Sequence, residues 1–133
     1  MKTASIIQQT TEVKDPDIGK NFPLEEDDKQ FIKAYNEGYQ KLEGEDRLRA
    51  FRNVIRNSGK CGFANSGAKQ YLVNTDPGKS YRVTVRTFWR KGIHHGQYDN
   101  AYNVEAGGRT YLGCTDSGHI PVKYYRRQVV GEV

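Results

Sequence analysis

Hydrophobic and polar positions follow two different periods along this chain. Residues 1–23 are rich in Gln, Thr, Lys and Asp, and Pro16 and Pro23 interrupt any regular element. An extended or disordered tail is expected there, with a turn over Asp15-Pro16-Asp17-Ile18-Gly19. Pro23-Leu24-Glu25-Glu26-Asp27-Asp28 then predicts a helix start, because proline suits a first turn and acids complement the positive end of the helix dipole. Phe31, Tyr35, Tyr39 and Leu42 recur at helical spacing, with Ile32 beside them. Gly44 is the predicted terminator, being tolerant of the left-handed cap. A second helix is predicted from about Glu45 to Arg56 on the stripe Leu48, Phe51 and Ile55. Phe51, Val54 and Ile55 also suit a strand, so part of that segment has two readings.

From Cys61 onward the period shortens to two. Gly and Asn/Asp turns separate short runs rich in Val, Thr and Tyr, the signature of an antiparallel β structure. Gln70–Val73 is a short strand closed by a turn over Asn74–Gly78. The clearest strand is Tyr81–Arg90, with Tyr81, Val83, Val85, Thr87 and Trp89 on one face and Arg82, Thr84, Arg86, Phe88 and Arg90 on the other. Gly92–Gly96 is the predicted loop after it. Ala101–Glu105 and Arg109–Leu112 flank Ala106-Gly107-Gly108 and predict a hairpin. The last strand is expected over Ile120–Val130, with a bulge at Tyr124-Tyr125 that would swap the facing side chains. The resulting plan is a tail (1–23), a helical segment (24–58) and an antiparallel β-sandwich domain (59–133), an α+β chain overall.

From Asn74 to Glu132 the Tyr-x-Val-Thr-Val strand, the Gly-Gly turn, Tyr-Leu-Gly-Cys and the closing Val-Val-Gly-Glu resemble small immunoglobulin- or fibronectin-like β-sandwich domains of bacterial proteins. The resemblance covers somewhat under half of the chain. It implies a sandwich and an accessory binding role, and it designates no functional residues.

Charge sharpens the division. The chain carries a formal net charge of +5, but residues 1–44 have six Lys against nine acids and no arginine. Residues 45–133 have fifteen Lys and Arg, ten of them arginine, against seven acids. The two parts face different electrostatic tasks, or each other. The apolar set is lean, and nine tyrosines help to fill the core. No run reaches the roughly 18 apolar residues of a membrane helix, so no membrane association is expected. Met1–Gln9 contains no hydrophobic signal segment, which reads as cytoplasmic, or as secreted where a leader has been removed. Cys61 and Cys114 are either small buried apolar residues or, in an oxidising compartment, a disulfide closing one loop.

Candidate chemistry is sparse. Gly78-Lys79-Ser80 matches the end of a phosphate-binding loop, but Val73 stands where the motif needs glycine and a strand follows instead of a helix. Cys114, Asp116, Ser117 and His119 supply the residue types of a nucleophilic triad, although triad members converge from separate elements and Asp-Ser-Gly is ordinary turn composition. His94, His95, His119, Asp99 and the cysteines lack zinc-site spacing, so neither a metal nor a cofactor is expected. The strongest functional clue is the basic face made by Arg82, Arg86, Phe88 and Arg90, joined by Lys123, Tyr125 and Arg127 (or Arg126) if the bulge is at Tyr124-Tyr125. Arginine beside aromatic rings binds phosphates, bases and acidic surfaces. The alternative is a solvated sheet face, or one covered by the chain's own acidic helix around Glu25–Asp28.

The leading expectation is a non-enzymatic interaction or assembly domain using this face, with the β-prone tail Thr3–Val13 adding to a neighbouring sheet. A protein partner or self-association follows from it. A nucleic-acid or anionic-polymer binder is the second reading, and a small hydrolase using Cys114 or Ser117 with His119 the third.

Overall fold

In a computed structural model, residues 15–61, 67–117 and 120–133 are described. Thr3–Val13 and His119, both invoked above, lie outside them.

Asp15–Gly19 forms the expected turn, with the Asp17 N–H donating to Asp15 Oδ1 at 3.0 Å. A short strand β1 (Asn21–Pro23) follows and ends at Pro23, so the helix α1 begins later, at Glu26, and runs to Gln40. Glu26, Asp27 and Asp28 occupy its first turn. The Asp28 carboxylate folds back to accept the Glu25 N–H at 2.9 Å, satisfying a donor that the helix itself leaves unpaired.

The second helix is a correction. α2 covers only Glu45–Arg49, and β2 (Asn53–Lys60) takes over where the helix was expected to continue. The β-branched Val54 and Ile55 pair with Val73 and Leu72 of β3 (Ala68–Asn74). This cross-strand packing outweighs the weak helical stripe. Residues 53–58 therefore belong to the sheets and not to the helical segment.

β4 (Tyr81–Lys91) alternates as expected, with Val83 and Val85 fully buried. β5 (His94–Val104), β6 (Gly108–Cys114) and β7 (Lys123–Glu132) complete the set. Two further expectations change. Gly92–Gly96 is not a long loop, because His94 and His95 already pair with Lys91 and Arg90. Ala106-Gly107-Gly108 does not close a hairpin, because β5 pairs with β4 whereas β6 pairs with β3 and β1. That turn carries the chain from one sheet to the other.

The strands form two antiparallel sheets, ordered β1-β6-β3-β2 and β5-β4-β7. The core is drawn from both: Leu72 and Leu112 from the first, Val83, Val85 and Val104 from the second, with Ile55, Tyr102 and Val129 packed around them. Each fully buried aliphatic side chain contributes roughly 1.5–3 kcal/mol. The last strand starts at Lys123, and its bulge is at the other end from the one expected. Thr84 pairs with Gly131 but Val85 with Val129, so Val130 is the extra residue. The shift sets Glu132 opposite Val83. There the Glu132 carboxylate accepts the Arg52 N–H at 2.8 Å, the Asn53 N–H at 3.1 Å and the Asn53 side-chain amide at 2.8 Å. One side chain thus ties the end of β7 to the start of β2.

Helix α1 lies over the outer face of the four-stranded sheet. Asp28, 2% exposed, pairs with Arg56 of β2 at 2.9 Å and with Arg109 of β6 at 3.5 Å. Arg109, itself 8% exposed, also reaches Glu25 at 3.2 Å. Both guanidinium groups sit on rings, Arg109 at 3.9 Å from the Tyr71 centroid and Arg56 at 4.5 Å from that of Phe31. Tyr35 donates to the Phe51 carbonyl, and Asn36 links Thr75 and Arg52.

Cys61 and Cys114 are joined in a disulfide across 53 positions, which decides between the two readings of the pair. In the loop-entropy picture a closure of that length stabilises by about 4 kcal/mol. Reduction, or the double variant Cys61→Ala/Cys114→Ala, is expected to remove about that much unfolding free energy and to lower the melting temperature by roughly 10 °C or more; denaturant titration with and without reductant measures it. Asp28→Ala removes the buried carboxylate that Arg56 and Arg109 share, leaving Arg109 with the more exposed Glu25. It is expected to cost about 3–5 kcal/mol, against under about 0.5 kcal/mol for the exposed neighbour in Asp27→Ala, both read from urea midpoints.

Candidate anion-binding face

The three-stranded sheet has two faces, assigned by its register. Arg82, Thr84, Arg86, Phe88 and Arg90 of β4 share the outer face with Asn103, Ala101, Asp99, Gln97 and His95 of β5. On the β7 side their partners are Gln128, opposite Arg86, Arg126, opposite Phe88, and Tyr124, opposite Arg90. The β4 members expected from the sequence therefore stand together. Lys123, Tyr125 and Arg127 do not join them, because the strand is regular at Tyr124-Tyr125 and they pair with Lys91, Trp89 and Thr87 on the inner face.

Arg127 shows what that inner position does. Its guanidinium donates to Gln70 Oε1 at 2.8 Å and to the Cys114 carbonyl at 2.9 Å, so it cross-links the sheets. Burial pushes its pKa down from the ordinary arginine value. Lys123 sits over Trp89 at 4.8 Å and Tyr125 at 5.4 Å. Arg126, the alternative to Arg127, and Tyr124, which was not expected on this face, are the exposed members.

Four arginines and one carboxylate thus occupy the outer face. Arg82, Arg86 and Arg90 recur every fourth residue, so the row extends for roughly 26 Å at 3.3 Å per residue. Arg86 is held by Asp99 through two bonds of 2.9 and 3.1 Å. The hydrogen bond between them raises the arginine pKa and lowers that of the carboxyl. Arg82 donates to Asn103 at 3.0 Å. Arg126 lies over the Phe88 ring at 4.4 Å, which holds a charge flat against the surface and lowers the conformational cost of using it. Among the described residues, Arg82, Arg90 and Arg126 make no ion pair.

The acidic helix does not cover this face. Glu25 and Asp28 are engaged by Arg56 and Arg109 on the other sheet. Two shallow hollows, of about 350 and 260 Å³, lie elsewhere: one in the seam lined by Tyr35, Phe51, Ile55 and Val129, the other between Tyr39, Arg47, Arg52 and Pro77.

Of the residues weighed for chemistry, His119 lies outside the described residues. Cys114 is bonded to Cys61, so it has no thiolate to offer in this state. The Ser117 hydroxyl accepts the Lys123 N–H at 3.0 Å. His94 and His95 alternate on a strand. Among the described residues no three His, Cys, Asp or Glu side chains are grouped to hold a metal ion.

Beneath the distal end of the sheet, Trp89 lies against Gly96, its cross-strand partner. A Cβ at Gly96 would stand 2.7 Å from Trp89 Nε1. Gly96→Ala is expected to displace the indole at a cost of about 1–3 kcal/mol. Trp89 is the sole tryptophan, so its emission maximum and the unfolding midpoint should shift together. Compared with protein-family models, curated proteins and solved structures, the chain matches none.

Proposed function

We propose that this chain is a non-enzymatic interaction domain that docks an acidic partner surface on the outer face of its three-stranded sheet. The observation that carries this reading is the separation of charges in the fold. Asp28 and Glu25, at the helix start, are paired with Arg56 and Arg109, while Arg82, Arg86, Arg90 and Arg126 stand on the outer face of the other sheet around Phe88. A row extended along one sheet face suits a macromolecular surface better than a small ligand, which is held in a concave site.

An anionic polymer is the second reading, favoured by the Arg126–Phe88 stack, a pairing that also suits phosphates and bases. The immunoglobulin-like likeness belongs to this proposal at the level of two packed antiparallel sheets. Its strand order, A-B-E-D over C-F-G, differs from β1-β6-β3-β2 over β5-β4-β7. The Cys61–Cys114 bond supports residence in an oxidising compartment.

The test uses poly-glutamate, a sulfated polysaccharide and a single-stranded oligonucleotide as probes, titrated against the full chain at low and moderate salt. Arg82→Ala/Arg86→Ala/Arg90→Ala is expected to weaken binding at least tenfold with the melting temperature kept within a few degrees. Asp99→Asn should strengthen it by releasing Arg86. Equal binding by the triple variant would remove the reading. A marked preference for the oligonucleotide, with a steep salt slope, would favour the polymer.

A further inference from the structure

A sheet edge presents unpaired N–H and C=O groups, and folded proteins blunt such edges by shortness, bulges, proline, lysine or coverage. Three of the four edges here are blunted. β1 has three residues and ends in Pro23. β2 breaks register between Asn57 and Lys60, and Glu132 takes the N–H groups at its start. β7 carries the Val130 bulge, and its first residues are bonded by Thr115 and Ser117, the Tyr125 N–H to the Thr115 carbonyl at 2.8 Å and the Ser117 N–H to the Lys123 carbonyl at 2.9 Å.

Among the described residues β5 has none of these devices. It is eleven residues long, and its register with β4 is unbroken from Tyr81–Val104 to Lys91–His94. It contains no Lys, Arg or Pro. Among the described residues it pairs with β4 alone, and residues 97–101 are all exposed. Near its end Thr110 Oγ1 donates to the Asn103 carbonyl at 3.3 Å.

We propose that the chain pairs with a second copy of itself, β5 against β5 in antiparallel fashion about a two-fold axis, making one continuous six-stranded sheet. Charge selects this occupant. The strand has a single carboxylate, Asp99, already held by Arg86, and no lysine or arginine, so with its histidines neutral two copies meet without uncompensated like charge. A two-fold contact needs a self-complementary patch, and a neutral, regular antiparallel edge is one. The pairing also aligns the outer faces of both copies, doubling the arginine row. It does not depend on what that row binds.

The experiment is sedimentation of the full chain across concentration, in low salt and in about 1 M salt, where exposed charge pairs are screened. The expected result is a dimer in both, with β5 amides gaining exchange protection as concentration rises. Gln97→Lys/Ala101→Lys places lysines on exposed outer-face positions of the edge. It should raise the dimer dissociation constant at least tenfold while the circular dichroism and melting temperature of the protomer stay unchanged. A wild type that stays monomeric at every concentration, a dimer that dissolves in salt, or one indifferent to the lysines would overturn the proposal.

Discussion

The buried ion pair between Asp28 and Arg109 governs how this small protein is assembled. Both side chains are almost wholly removed from water, where a charge is tolerated only with partners, here Arg56 as well for Asp28 and Glu25 as well for Arg109. Asp28 sits in the first turn of α1 and Arg109 near the start of β6, so satisfying the two charges fixes the helix onto one face of one sheet. Arg56 and the rings of Phe31 and Tyr71 complete the lock. A salt bridge of this kind adds little net stability relative to an apolar contact; what it contributes is position.

That position decides the character of both outer surfaces. On the four-stranded sheet Tyr71 and Tyr111 are buried, packed against each other and against the edge of Phe22, with Arg109 over Tyr71. The outer face of the three-stranded sheet is left to arginine, phenylalanine and solvent. The same arrangement explains the thin core, since only a handful of aliphatic side chains lie between the sheets. Aromatic rings, the Glu132 tie, the Arg127 cross-link and the disulfide carry the remaining contacts.

The sequence by itself determined the elements whose pattern is strong and local. The alternation of Tyr81–Arg90, the acid-led helix start and the turn at Asp15–Gly19 follow from side-chain period, dipole complementarity and backbone turn chemistry. So does the arginine row, because residues four apart on one strand share a face wherever the strand is packed. The tertiary structure alone decided everything that depends on which strand meets which. Val54 and Ile55 fit a helix or a strand equally until Val73 and Leu72 are opposite them. The Gly107-Gly108 turn looks the same in a hairpin as in a crossing between sheets. In β7 the doublets Tyr124-Tyr125, Arg126-Arg127 and Val129-Val130 give both faces the same residue types, so alternation cannot say which member is inward. That choice was made by Glu132 reaching Asn53 and by Arg127 reaching Gln70, contacts between residues far apart in the chain that no local period encodes.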